Sequence, residues 1–355
     1  MLKEIGSNFW LPQSCDHHTK LDSTFFNVTY EDDVFTSSGR SAIALVLSNI
    51  NSQNRRALLP SFTCASVIEP FIQNGYQVFY YSLGDKLDII ENRFIQDFVE
   101  ANPSVVLVHN YFGFNTCSQI NLFIEEKKKN GTVIIEDITQ ALYSPYDRIM
   151  ADYYVGSFRK WNGIPDGGFA LKVKGDFKSK PEREDSILIA AKTTAMKAKA
   201  DYIFQGIGEK QEFLKMFADA EKLLEEQTIV FRMAKKSYEV QASMDIDYLK
   251  ERRRCNYMYL FNHMNSPKID SLFPSLPDHV TPLYYPIRCH GKRKELQGWL
   301  RDNQIFAPIV WPKPKYIDAT YGEAERFYEE LLCIPCDQRY GTDEMELIIK
   351  CIEQF

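Results

Sequence analysis

The sequence predicts an α/β fold on a mainly parallel sheet, and three observations carry that prediction. Between residues 38 and 172 the apolar residues alternate between helical and strand periods, the pattern of successive βα units. Two runs, Ser104-Val105-Val106-Leu107-Val108-His109 and Thr132-Val133-Ile134-Ile135-Glu136, are apolar almost without interruption, as strands covered on both faces must be. Ser61, His109, Asn110 and Asp137 all fall where strands end, and open parallel sheets bind their ligands at strand carboxyl ends.

The elements follow in chain order. Ser38-Gly39-Arg40 precedes a helix with Ile43, Leu47 and Ile50 on one side, and a short strand at 57–60 comes next. A helix over 64–74, a strand at 77–81 and a helix over 91–101 lead to the first apolar run. Glu125 and Lys129 stand four apart on a further helix that Asn130-Gly131 ends, so this charge run reads as a solvated face. Gln140 is expected on the first turn of a helix after Asp137. Residues 174–185 are charged around Pro181 and read as an exposed loop, whereas 186–265 have few glycines or prolines and carry Phe213, Phe217, Leu223 and Leu224 at helical spacing. Strand character returns at 281–289, followed by a helix over 292–303 and a closing strand and helix.

At 355 residues the chain exceeds the roughly 250–300 at which single cores stop growing, so two lobes are expected. We divide it into an N-terminal arm (1–35), a large α/β domain (36–245) with a helical insert near 186–240, and a small α+β domain (246–355). The 42 basic and 48 acidic side chains give a net charge of −6, which offers no general attraction for nucleic acid or an anionic membrane. The first ten residues lack the apolar stretch of a signal peptide, and no apolar run approaches the roughly 18 residues of a spanning helix. A cytoplasmic location is expected. The eight cysteines are mostly single. Cys333-Ile334-Pro335-Cys336 has redox-motif spacing but continues an apparent strand and has no second pair to complete a zinc site, so core packing is expected. Cys15-Asp16-His17-His18 holds ligand-type side chains in a short polar run, read here as exposed chain rather than a metal site.

The chemistry points to Lys160. It lies in Ser157-Phe158-Arg159-Lys160-Trp161-Asn162-Gly163-Ile164-Pro165-Asp166-Gly167-Gly168, behind a strand ending in Glu136-Asp137. A lysine that holds an aldehyde cofactor as a Schiff base needs a short fixed loop, and a following glycine pair lets backbone pass close. An aspartate at a strand end can keep a pyridinium nitrogen protonated, which makes pyridoxal phosphate an electron sink. Gly39 and Arg40 at a helix start are candidates for its phosphate, as is the Ser157 hydroxyl, and Gln140 is a candidate for its phenolic oxygen. Each of these residues has a plainer role by itself, such as solvated surface, helix cap or turn; their order along the chain makes the case.

These segments resemble the DegT/DnrJ/StrS family of fold-type I pyridoxal phosphate enzymes, chiefly sugar aminotransferases, most strongly over residues 36–172. Ser38-Gly39-Arg40-Ser41-Ala42 looks like the family's Ser-Gly-Thr helix start, and Pro60-Ser61-Phe62-Thr63 like its Pro-Ser-Phe-Thr. Glu136-Asp137-Ile138-Thr139-Gln140-Ala141 keeps its Glu-Asp-x-x-Gln-Ala, and Lys160 precedes Gly167 and Gly168 at the family's spacing. There are departures. Arg40 replaces a threonine, and Cys64 stands where many members stack an aromatic on the cofactor, which leaves Tyr111 as a candidate for that role. The serine lies closer to the lysine than in typical members, Pro165-Asp166 replaces Gly-Glu, and the asparagine motif given to a partner subunit is not recognisable near 226–245. A divergent branch is implied.

The resemblance implies an aspartate aminotransferase-like fold and amino transfer from glutamate to a keto sugar, nucleotide-linked, with Lys160 and Asp137 catalytic and the site built across a homodimer. Trp311, Lys313 and Tyr316 are candidates to line the acceptor pocket, with core packing the plainer role for the tryptophan. Arg288 is a candidate to grip a carboxylate or phosphate, or to make a surface ion pair. Two alternatives stand beside amino transfer: a sugar dehydratase or lyase, whose branch replaces the lysine by histidine, and a non-catalytic regulator on the same fold. No strand is followed by Gly-x-Gly-x-x-Gly, which disfavours a nicotinamide dehydrogenase.

Overall fold

The computed structural model describes residues 4–12, 19–317 and 321–355. The chain divides into two compact units, each assembled from separate stretches of sequence. One comprises the described parts of Met1–Glu4, Asn8–Asn49 and Tyr153–Asp245, the other Ile5–Ser7, Ile50–Asp152 and Ile246–Phe355.

In the first unit, strand Gly168–Lys172 runs between Asp32–Thr36 and Tyr153–Ser157 and is antiparallel to both. Register sets Thr36, Gly168 and Ser157 in one row. A Cβ on Gly168 would meet the Ser38 carbonyl and lie 2.7 Å from Gly39 N, so only glycine lets helix Gly39–Asn49 start against this strand. The expected insert forms helices Ser186–Ala200 and Lys210–Glu225. Asp185 caps the first by accepting from Leu188 N at 3.0 Å. Ala195, Met196, Phe213 and Phe217 pack between them, joined by Phe9 and Leu11. Lys199 has no exposed surface; it pairs with Glu4 at 2.8 Å and donates to the Asn8 carbonyl at 2.6 Å, and Lys210 takes the other Glu4 oxygen at 2.7 Å.

In the second unit, four parallel strands lie in the order Val133–Asp137, Val105–His109, Arg56–Pro60, Gln77–Tyr81. The two expected apolar runs are its buried centre, and the α/β class on a mainly parallel sheet is the observed one. Helix Glu91–Ala101 turns Phe94, Phe98 and Ala101 inward and leaves its polar side to solvent. The C-terminal stretch carries a small antiparallel sheet, with Tyr285–Arg288 between Leu331–Ile334 and Asp270–Ser271, against helices Ile246–His263, Arg293–Asp302 and Thr342–Gln354.

Two expectations need correction. The strand expected at 281–289 is only Tyr285–Arg288: Pro282 has no N–H for a ladder, and the buried Arg253 guanidinium takes the Pro282 and Leu283 carbonyls at 3.3 and 2.9 Å. Gln140 sits in a turn rather than a helix. Pro145 disfavours helical geometry at the residue before it, and the turn closes through Ala141 N to Ile138 O at 3.0 Å. Cys333 and Cys336 are buried free thiols, both pushed up by burial, as core packing expects. The Cys15-Asp16-His17-His18 run lies outside the described residues. No described helix is long and apolar enough to cross a membrane.

Candidate active site

The carboxyl ends of the second unit's parallel strands gather most of the polar residues singled out from sequence. Register places His109 beside Asp137. Asp137 Oδ1 accepts from Thr139 N at 2.8 Å, which turns the chain toward Gln140. Gln140 Oε1 accepts from Phe112 N at 2.8 Å. Because a backbone N–H can only donate, the Gln140 oxygen must face it, and the amide NH₂ must face away with no protein partner among the described residues. Tyr111 is 1% exposed, donates its hydroxyl to the Phe62 carbonyl at 2.5 Å and meets the His109 ring edge-on at 4.4 Å. Half-buried Cys64 caps helix Ala65–Gln73 without a side-chain bond to it.

Burial pushes His109 down to about 3, so its imidazole stays neutral, and its Nε2 has no hydrogen-bond partner among the described residues. Ser61 Oγ and Thr63 Oγ1 are likewise buried and unpaired. Such groups cost about 1–3 kcal/mol each until a water or ligand satisfies them. The backbone around them is fixed by Tyr328, whose hydroxyl accepts from Thr63 N at 2.8 Å and lies 3.2 and 3.0 Å from the Ser61 and Thr63 carbonyls.

The first unit gathers a second group. Gly39 opens its helix next to Ser157, so close that a Cβ added to Gly39 would lie 3.5 Å from Ser157 Cβ. Helix amino termini offer unpaired N–H groups to an anion. Ser157 donates its hydroxyl to the Gly167 carbonyl at 3.2 Å, and Gly167 adopts φ +145°. Arg40, half-buried, reaches the Glu225 carbonyl at 3.4 Å. Lys160 ends the short helix Phe158–Lys160; its side chain is exposed and makes no hydrogen bond or ion pair among the described residues.

Sequence reasoning missed what holds that helix. Arg159 bonds Glu221 Oε1 at 2.7 Å, and Lys192 pairs with the same oxygen. Burial, which alone would raise Glu221, is outweighed by Arg159 and Lys192, so its carboxyl falls to about 2. Lys192 is pushed down to about 8 by burial and by the Arg159 charge, since one carboxylate is shared by two cations. Neither Lys192 nor Glu221 carries a local sequence signal, because both lie in the helical insert.

Of the four small-lobe candidates, Trp311 comes to the strand ends, its ring 5.4 Å from Phe62 and 5.7 Å from His109. Lys313 pairs with Glu325 at 2.5 Å and Tyr316 donates to Glu69 at 3.3 Å, so both are engaged by protein. Arg288 lies over the Phe327 ring at 5.4 Å.

Residues 2–162 match the family described as the DegT/DnrJ/EryC1/StrS aminotransferase family. Solved aminotransferase structures share the fold over nearly the whole chain. Helicobacter pylori PseC, an aminotransferase involved in the biosynthesis of pseudoaminic acid, is 16% identical with a TM-score of 0.70, covering 99% of each chain. The putative sugar aminotransferase Spr1654 from Streptococcus pneumoniae, in its PMP-form, is 15% identical with a TM-score of 0.68, covering 98% of this chain and 97% of that one. DesI, solved in the presence of its TDP-sugar product, is 15% identical with a TM-score of 0.67 over 94% of this chain and 82% of its own. No curated protein matches the sequence. The DegT/DnrJ/EryC1/StrS proteins are aminotransferases, transferases of nitrogenous groups, and Spr1654 has been solved in PLP and PMP forms.

Proposed function

We propose that this chain is a pyridoxal-phosphate-dependent aminotransferase that moves an amino group from glutamate to a keto sugar carried on a nucleotide. The observation that supports it most is Lys160, an exposed amine to which no described residue is hydrogen-bonded, on a short helix whose neighbour Arg159 is anchored by Glu221. A nucleophilic lysine needs that combination of a free amine and a fixed backbone.

The other residues fit the cofactor. Asp137 would hold the ring nitrogen and the open NH₂ of Gln140 the phenolic oxygen, while the Gly39 helix start, Arg40 and Ser157 would hold the phosphate. The unpaired His109 Nε2, Ser61 Oγ and Thr63 Oγ1 are the buried groups a bound polar ligand or its waters would satisfy. Tyr111 and Cys64 remain the candidates beside the ring, although Tyr111 is enclosed and would have to uncover a face to stack. When bound, pyridoxal phosphate supplies an electron sink that makes the α-proton of an amino acid removable. Lys160 Nζ would hold the cofactor and, when free, would serve as the base and acid that moves that proton. Asp137 would balance the ring's positive charge through an ion pair at the ring nitrogen.

Trp311, beside His109, is the small-lobe residue best placed to meet an acceptor; Arg288 is the candidate for an anionic group on it, and Lys313 and Tyr316 would have to leave Glu325 and Glu69 to take part. The TDP-sugar seen with DesI supports a nucleotide-linked acceptor. A homodimer with shared sites and a cytoplasmic location complete the proposal. Its test is the donor half-reaction: one equivalent of 2-oxoglutarate released per cofactor when protein loaded with pyridoxal phosphate meets glutamate without an acceptor. Release from no amino acid tried would reject amino transfer.

A further inference from the structure

Beneath Asp137 lies a buried polar cluster that the proposed reaction does not use. Glu136 has no exposed surface, and its Oε1 accepts from Asn110 Nδ2 at 3.0 Å. Asn110 Oδ1 accepts from Thr116 N at 2.7 Å and Cys117 N at 3.2 Å. Those two donors are backbone N–H groups, so the Asn110 oxygen must face them and its NH₂ must face the carboxylate. The loop so gripped contains Phe112 at φ +55° and Gly113 at φ +98°, a left-handed pair that a phenylalanine adopts only when its surroundings impose it. Phe112 N is the donor to Gln140 Oε1. A second branch closes the circuit: Arg148 lies 3.6 Å from Glu136 Oε1 and donates to the Ala141 carbonyl at 3.3 Å, next to Gln140.

We propose that Glu136 is a positioning residue: through Asn110 and the 110–117 loop on one side, and through Arg148 and Ala141 on the other, it fixes which way the Gln140 amide points. The inference rests on the proposed role of Gln140 toward the cofactor. Arg148, Asp137, Tyr146 and Cys117 are the titratable and charged groups that act on Glu136. Oε2 is buried without a hydrogen bond among the described residues, so protonation there leaves Oε1 accepting from Asn110.

The test starts with cofactor-free protein, by amide hydrogen exchange at Phe112. Glu136→Ala should speed that exchange at least about tenfold, the loss of one buried hydrogen bond, while Glu136→Gln, which keeps an accepting oxygen, should restore it to near the wild-type rate. Should Glu136→Ala fail to fold, Asn110→Ala breaks the same relay and carries the same expectation. Unchanged exchange in a folded Glu136→Ala or Asn110→Ala protein overturns the proposal. After loading with pyridoxal phosphate, Glu136→Ala should shift the visible absorption maximum in the same direction as Gln140→Ala, with no further shift in the double variant. A merely structural role would lower the melting temperature and leave the spectrum in place, which also overturns the proposal. Faster exchange with a spectrum unmoved by Gln140→Ala itself would instead reject the reading of Gln140 on which the proposal rests.

Discussion

Phe112 donates its backbone N–H to Gln140 Oε1 at 2.8 Å, and that single bond decides what the glutamine can offer a ligand. With its oxygen occupied, Gln140 is left as a donor. Gln140→Glu keeps the acceptor for Phe112 but replaces the NH₂ by a second oxygen. The variant should bind cofactor and lose about 10- to 100-fold in kcat, the worth of one hydrogen bond to a charged oxygen; steady-state rates with glutamate check it.

Gly168→Ala should destabilise the first unit by about 1–3 kcal/mol or more, because the new methyl runs into the Ser38 carbonyl, and backbone cannot move aside as a side chain can. Thermal unfolding measures the loss. Gly175→Ala is the control for a glycine with open space around it, although its φ of +76° gives it a smaller cost of its own.

Burial pushes Glu136 up to about 7 against the pull of Arg148. Its folded value therefore lies above the unfolded one, near 4.5. Between those values the native state holds a proton that the unfolded chain has released, so stability is fullest below pH 4.5 and falls as pH rises toward 7. Urea unfolding should show wild type losing stability over that window relative to Glu136→Gln. Parallel profiles would show that Glu136 does not titrate there.

Cys333 and Cys336 should resist thiol reagents in the native protein, since both are fully buried and burial disfavours their thiolates. Exposed Cys255 should label first. Mass-mapped alkylation distinguishes this packing role from a redox pair, which would react readily.

The legible parts of this protein are those whose cause is local. Strands 105–109 and 133–137 announce themselves by unbroken apolar runs, and Asp137 and Lys160 stand out as candidates because their neighbours along the chain carry the pattern. What stayed hidden depends on residues far apart in sequence. Gln140 looked like the first turn of a helix, yet Pro145 and the Arg148 bond to Ala141 hold a turn. Glu221 meets Arg159 across 62 residues, and no periodicity in the insert distinguishes it from the other acidic residues on that helix. Trp311 reaches His109 from a segment without regular structure, where no period exists to read.

The central claim is that Lys160 carries the cofactor. Protein loaded with pyridoxal phosphate is reduced with borohydride, digested and mapped by mass spectrometry, with Lys160→Ala treated in parallel. The reduced pyridoxyl mass is expected on the peptide containing Lys160, and none anywhere in the variant. An adduct on a different lysine, or one that survives in Lys160→Ala, would contradict it.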